Sequence, residues 1–264
     1  MNFMDKVVWI TGASSGIGKA LALELSKQHT KIILSSRNEE KLQEVKEQCS
    51  YPENVKILPL DLADHATMDS KVVEALQLFG SLDILINNGG ISQRSLAIET
   101  QLEVDKKLFD INYFGTVALT KSVLPYFTKQ KSGHIVAITS VVGKIGTPLR
   151  SSYAASKHAL HGFFDSLRAE VFKDNIAVTL VCPGFVRTDV SKNALTADGT
   201  PQNKMDNATD AGLSPEVFAK KMLKAVAAKK QEVVIGGTKE KLAVYVKRFF
   251  PVLLSKMIRK ASVT

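Results

Sequence analysis

The sequence predicts an α/β protein: a three-layer, doubly wound arrangement in which helices cover both faces of a seven-stranded, mostly parallel sheet. Three observations carry that expectation. Short β-branched or apolar runs alternate along the chain with amphipathic segments of helical length, which is the rhythm of βαβ units. The first of those runs ends in a glycine-rich turn that opens a helix. With 264 residues, 45% hydrophobic and 23% charged, the chain has the composition of an ordinary globular protein and can bury about three-quarters of its unfolded surface in one core. A single domain over residues 1–264 is expected.

The strand candidates are Val7–Thr11, Lys31–Ser35, Val55–Pro59, Asp83–Asn87, Gly133–Thr139, Ile176–Cys182 and Glu232–Ile235, with helical pattern between them. A helix should run from about Gly16 to Gln28. Thr100 with Glu103 has the form of a capping box and predicts a helix start near 101, and Ser214 followed by Pro215 predicts another near 215. Between Phe185 and Leu213 the chain turns polar and aperiodic, too long for an ordinary connection, so residues 185–213 read as a mobile loop at a functional site. Trp9 and Cys182 sit in apolar runs and read as core.

The formal charge is +9, but it is not spread evenly. Residues 1–213 hold 23 basic and 23 acidic residues, whereas residues 214–264 hold 12 and 3. A neutral body with one basic end argues against nucleic-acid binding and for a local feature of the C-terminus. Cys49 and Cys182 are the only cysteines, lie outside any metal-ligand spacing, and fit a reducing cytoplasm. No apolar stretch near the N-terminus is long enough for a signal peptide or a membrane span.

The turn after the first run is TGASSGIG, residues 11–18. Gly12 and Gly18 allow a tight turn and close packing, and Gly16 lets the backbone approach a pyrophosphate at the positive end of a helix. Following a first strand and opening a helix, this is the context of a dinucleotide-binding turn. An acidic residue at the end of the second strand would bind an adenosine ribose hydroxyl, but the chain has Ser35, Ser36 and Arg37 there. An arginine fork suits a 2′-phosphate, so NADP(H) is expected over NAD(H).

Tyr153 and Lys157 are four apart on a helix predicted to begin near Ser152, which puts both side chains on one face. A phenol titrates near 10, and an adjacent ammonium favours its phenolate; a fall of three units needs about 4 kcal/mol. Such a tyrosine can serve as acid and base. Ser140 closes the fifth strand candidate, and Asn112 lies within a helix, where asparagine is a poor former.

Taken together, these motifs make the chain resemble the short-chain dehydrogenase/reductase family, including TGASSGIG, Asp61 and Leu62, NNGG at 87–90, Asn112, Ser140, YAASK at 153–157 and PGFVRT at 183–188. The resemblance covers nearly the whole length. It implies a Rossmann-type fold and a set of roles. Tyr153 would exchange the proton and Ser140 would bind the same substrate oxygen. Lys157 would lower the tyrosine pKa and hold the nicotinamide ribose, and Asn112 would hold a water of a proton relay. The cofactor would be held by Gly12, Ser14, Ser15, Gly16, Ile17, Gly18 and Arg37, by Asp61 and Leu62 at the adenine, by Asn88 and Gly89, and by Pro183, Gly184, Val186 and Thr188 at the carboxamide, together with Tyr153 and Lys157. Where the family usually has alanine this chain has Gly89, which should loosen the strand end slightly.

His158 and His161 lie three apart near Asp165, a spacing that metal sites can use but that reads here as helix surface or a subunit contact, and no metal is expected. The stretch at 241–260, within a basic amphipathic extension at 239–264, mixes Phe249, Phe250, Leu253, Leu254 and Met257 with basic residues that include Lys260. Pro251 should break its helix. The stretch could lie on an anionic membrane or pack against the sheet or a second subunit. Val142, Ile145 and Leu149 suggest an apolar cleft wall, and the tail resembles the hydroxysteroid-dehydrogenase-like branch of the family. The function implied is an NADP(H)-dependent reductase or dehydrogenase acting on a lipid-like or steroid-like carbonyl, as a homodimer or homotetramer. A 3-oxoacyl thioester reductase and a catalytically idle NADP(H)-binding regulator are the alternatives.

Overall fold

The computed structural model describes residues 3–259. In chain order its strands are β1 (Val7–Thr11), β2 (Lys31–Ser35), β3 (Val55–Ile57), β4 (Ile84–Asn87), β5 (Gly133–Ile138), β6 (Ile176–Pro183) and β7 (Glu232–Ile235). They form one sheet in the order β3-β2-β1-β4-β5-β6-β7, and every neighbouring pair is parallel. All seven predicted strands are present, three with the expected ends and four with one end shifted by one or two residues.

The helices are α1 (Gly16–Ser26), α2 (Glu39–Glu47), α3 (Met68–Phe79), α4 (Leu102–Phe109), α5 (Thr116–Gln130), α6 (Ser151–Glu170), α7 (Asn207–Asp210), α8 (Pro215–Ala227), α9 (Thr238–Phe249) and α10 (Pro251–Ile258). A π-turn, Asp110–Gly115, joins α4 to α5. Strand residues alternate between two cores. Val8 and Ile10 pack with Leu21, Leu42 and Phe218 from α1, α2 and α8. Val7 and Trp9 pack with Val72, Val123 and Phe164 from α3, α5 and α6. That alternation gives the three layers, and both Trp9 and Cys182 are fully buried as expected.

The start of α8 is as predicted, with Ser214 Oγ accepting from Val217 N at 3.3 Å. The capping box at α4 does not form. The helix begins at Leu102 with Gln101 as its cap, and the Thr100 hydroxyl turns back to donate to Leu96 O at 2.8 Å beside Gln93 and Ser95. A buried polar network thus outcompetes the local cap.

Residues 185–213 fold into a packed excursion. Leu195 bridges to Gln93 and to Pro201, and Ser191, Ala194 and Asp206 are buried. At the C-terminus α9 and α10 meet at Pro251, so the predicted break is present. Lys260 and the rest of the extension to 264 lie outside the described residues. Leu254 is buried on Val141 and Ile145, while Phe249, Phe250, Leu253 and Met257 stay exposed. Packing on the body therefore accounts for one of the five large apolar residues named from the sequence. No helix among the described residues is long and apolar enough to cross a membrane.

Candidate active site

The strand order reverses between β1 and β4, and at such a switch point the carboxyl ends of the strands leave a crevice. A cleft of about 870 Å³ opens there. One end is the glycine turn. Gly12 has φ +61°, and a Cβ on it would lie 2.7 Å from Gly89 Cα; a Cβ on Gly18 would lie 2.3 Å from Gly12 O. Asn88 fixes the turn to β4 by donating its side-chain amide to Thr11 O at 2.9 Å and Gly12 O at 3.0 Å. Ser14, Ser15, Gly16 and Ile17 line the cleft where the amino end of α1 points its unpaired N–H groups into it.

Along the cleft lie Arg37, Asp61, Leu62, Asn88, Gly89, Pro183, Gly184, Val186 and Thr188, so the structure brings these residues expected at the cofactor together. Gly12 and Gly18 shape the turn by excluding side chains. Gly89 does more than loosen the strand end, because a methyl there would meet Leu62 Cδ1 at 2.6 Å. The Leu62 side chain occupies the space an alanine would take. Lys41, on the first turn of α2 beyond the exposed Arg37, also lines this end. Its spacing of four from Arg37 was a readable signal that the sequence reading missed.

At the other end Ser140, Tyr153 and Lys157 meet. The Ser140 hydroxyl hydrogen-bonds the Tyr153 phenol. Lys157 donates to Ile138 O at 3.0 Å, and its ammonium lies 6.0 Å from the Tyr153 ring centre. Asn112, in the π-turn, accepts from Ile91 N at 2.8 Å and donates to Ile91 O at 2.9 Å and Ser156 Oγ at 3.1 Å. It thereby fixes the chain just after the NNGG stretch; π-turns frequently mark functional sites.

The electrostatics differ from the simple tyrosine–lysine expectation. Burial raises the Tyr153 pKa above the ordinary phenol value, and the Ser140 hydrogen bond and the charges of Arg94 and Arg150 offset part of that rise. Burial pushes Lys157 down to about 8. In the protein alone, the cations that favour the Tyr153 phenolate are the two arginines rather than Lys157. Both arginines are buried and share Asp206: Arg94 Nε donates to Asp206 Oδ2 at 2.8 Å, and Arg150 Nη2 lies 3.5 Å from the same oxygen. Burial opposes ionisation of Asp206, but the hydrogen bonds from Arg94 and Gln202 and both arginine charges outweigh it, holding the pKa below the usual carboxylate value.

The amino end of α6 is held by Gln93, a buried residue whose Oε1 accepts from Ser152 N at 3.0 Å and Tyr153 N at 3.2 Å. Sequence reading found neither Gln93 nor the arginine–aspartate group, since their partners lie about 60 and 112 positions away. The apolar wall predicted from Val142, Ile145 and Leu149 is elsewhere: Ile145 packs beneath α10, and the cleft is lined instead by Ile91, Val190 and Leu195. The last two come from the 185–213 excursion.

His158 and His161 do not converge, because His158 Nδ1 is hydrogen-bonded with Ala154 O at 2.8 Å. His161 faces Cys182 and Glu232, the one group among the described residues whose ligand atoms come within 4.8 Å. The Lys144 ammonium lies 2.5 Å from Glu232 and already supplies a cation there.

Fold and site together are those of a Rossmann-type oxidoreductase, with Ser140, Tyr153 and Lys157 gathered at the switch-point crevice. The short-chain dehydrogenase family model matches residues 6–199, and the chain belongs to the short-chain dehydrogenase/reductase (SDR) family. It is 44% identical over 261 residues to a dehydrogenase/reductase SDR family protein 7-like of Anopheles gambiae, covering 97% of this chain and 82% of that one. It is 42% identical over 261 residues to dehydrogenase/reductase SDR family member 7B of Bos taurus, covering 96% and 80%. Among solved structures, a short-chain dehydrogenase/reductase of Burkholderia phymatum in complex with NAD superposes with a TM-score of 0.85 at 22% identity over 96% of both chains. The closed form of a serine dehydrogenase with NADP+ gives 0.79 at 24% identity, over 88% of this chain and 95% of that one. These two likenesses show the fold.

Proposed function

We propose that the protein is an NADP(H)-dependent reductase of apolar carbonyl compounds, working reversibly as an alcohol dehydrogenase. The observation that carries the reading is the meeting of Ser140, Tyr153 and Lys157 at one end of a cleft whose other end is the glycine turn at the amino end of α1. The cradle fits a dinucleotide, since Ser14, Ser15, Gly16 and Ile17 line the cleft at the amino end of α1, where free N–H groups suit a pyrophosphate, while Gly12 and Gly18 let the turn close tightly on Gly89 and on itself. When bound, the reduced nicotinamide supplies the hydride to the carbonyl carbon. Tyr153 gives its proton to the carbonyl oxygen, which Ser140 holds, so that C=O becomes CH–OH. The burial-raised pKa of Tyr153 keeps it protonated at neutral pH, the form a general acid needs. Lys157 holds the nicotinamide ribose, and Asn112 holds a water that returns a proton to Tyr153.

Arg37 and Lys41 support NADP(H), because two cations at the adenosine end favour a 2′-phosphate. Ile91, Val190 and Leu195 support an apolar substrate; a 3-oxoacyl thioester satisfies the same wall. The chain acts in the cytoplasm as a homodimer or homotetramer, with its C-terminal extension in peripheral contact with membranes.

An NADPH-consumption screen over ketones, aldehydes and acyl thioesters tests the activity. Tyr153→Phe should abolish turnover while leaving NADPH binding nearly intact, and retained turnover would refute the acid. Binding without turnover on any class would favour an idle binder. Arg37→Asp should shift the ratio of NADPH to NADH efficiency toward NADH by more than about tenfold, the equivalent of one charge-assisted contact. An unchanged ratio removes the coenzyme assignment.

A further inference from the structure

The extension that closes the chain has a face the fold leaves uncovered. On α9, Ala243 and Val244 turn inward and pack in the small core beneath the helix. The opposite side carries Leu242, Tyr245 and Phe249, spaced three and four apart and therefore in one stripe. Their exposures are 59%, 66% and 69%. On α10 the buried Leu254 and half-buried Ile258 face the body, while Val252, Leu253 and Met257 face outward at 70%, 51% and 54%. Phe250 joins the two rows at the Pro251 bend.

The charge around this patch is of one sign. On α9, Lys241 and Arg248 flank one side of the stripe and Lys239 the other; Lys256 and Arg259 lie along α10. The one acid of the two helices, Glu240, is on the inward side, where its carboxylate meets the Gly184 and Gly237 backbone. A solvent-facing apolar stripe between rows of cations, with no acid on that face, matches a surface that is apolar below and anionic above. That is an anionic bilayer with its headgroups. A second copy of the chain would bring the same cations against these cations.

We propose that α9 and α10 dock the protein on an anionic lipid surface and present the active site to carbonyl substrates dissolved in it. The link to the site runs through packing: Leu254 rests on Val141 and Ile145, in the segment that follows Ser140, so the docked helices hold that side of the body against the lipid. The proposal deepens the reading of the protein as a reductase of apolar carbonyls and rests on it only for the delivery of substrate.

The test is co-sedimentation of the full chain with phosphatidylcholine vesicles, with and without phosphatidylserine. The wild type should bind the anionic vesicles and lose binding as salt rises. Phe249→Ser with Phe250→Ser and Leu253→Ser should weaken binding by more than about a hundredfold, as expected for removing three apolar anchors. Lys241→Glu with Arg248→Glu should weaken it in a salt-dependent way. All five positions are exposed, and circular dichroism checks that the variants fold. Equal binding by wild type and variants, or no binding by the wild type, overturns the docking. So does dissociation of a stable oligomer by the apolar variant with no vesicle binding, which would assign the face to a second copy. For delivery, kcat/KM for a long-chain ketone held in vesicles should fall in the apolar variant by at least about tenfold, with a water-soluble ketone unaffected; equal effects on both overturn it. Sedimentation requires no turnover, so failure to dock leaves the reductase reading standing, and an enzyme idle on every carbonyl leaves the docking standing.

Discussion

Asp206→Asn should be among the most damaging single substitutions away from the reacting atoms. The Asp206 carboxylate is 2% exposed and serves two guanidinium groups, those of Arg94 and Arg150, at 6% and 4%. Asparagine keeps the shape and one acceptor oxygen but removes the charge, leaving two buried cations facing each other. Breaking a buried ion pair from one side costs about 3–5 kcal/mol, a large part of the roughly 5–15 kcal/mol that a domain has. The loss can be read by urea unfolding, since Trp9, the single tryptophan, is fully buried and reports on the core. The midpoint should fall steeply with the slope unchanged. The sign with pH follows from the depressed carboxyl pKa. Its contribution is present above the unfolded value near 3.9 and is lost as pH falls through the lower folded value, so wild type and variant should converge in acid. The same carboxylate accepts from Gln202 at 3.1 Å and so holds residues 191–206 to the body. For that reason kcat/KM should fall too. A loss below about 1 kcal/mol at neutral pH, the scale of a surface pair, would refute the reasoning.

Two further expectations come from elsewhere in the fold. Gly18→Ala places a methyl 2.3 Å from Gly12 O, against backbone that cannot yield, and should abolish coenzyme binding in a fluorescence titration; Gly89→Ala meets only the end of the Leu62 side chain and should change affinity less than about tenfold. His134 and His161 are both pushed down to about 4, chiefly by burial, so the unfolded chain binds more protons between about pH 6.5 and 4 and stability must fall as pH drops through that window. His134→Gln, scanned by urea unfolding at pH 7 and pH 5, should show a smaller drop than wild type.

The fold was legible because its signals are local. Each strand announces itself by a short apolar run, and the sheet's parallel order follows from helical connections between such runs. The glycine turn, Ser140, Tyr153 and Lys157 were legible for the same reason, since each lies at a strand end or on one helix face. What stayed hidden depends on contacts across the chain. Gln93 caps α6 from the far side of β4, and Asp206 reaches back to Arg94. Thr100 carries a capping signature but spends its hydroxyl on that same buried network. Ile145 has the apolar character of a cleft wall, yet α10 covers it, a contact set by where the C-terminus returns.

That return gives the charge asymmetry a structural meaning. The balanced body encloses a site whose local field is nonetheless positive, because two arginines meet one aspartate beside Tyr153. Burial and those cations act oppositely on the phenol: burial favours the protonated form, and the cations favour the phenolate that the proposed proton transfer would leave. A tyrosine under burial alone would hold its proton too tightly to serve in both directions, and one beside exposed cations would gain little from them through water. The basic surplus of the C-terminus has no part in that balance. Most of it lies on and at the end of α9 and α10, outside the cleft, where screening is strong and only a surface of opposite charge, met at close range, would draw on it.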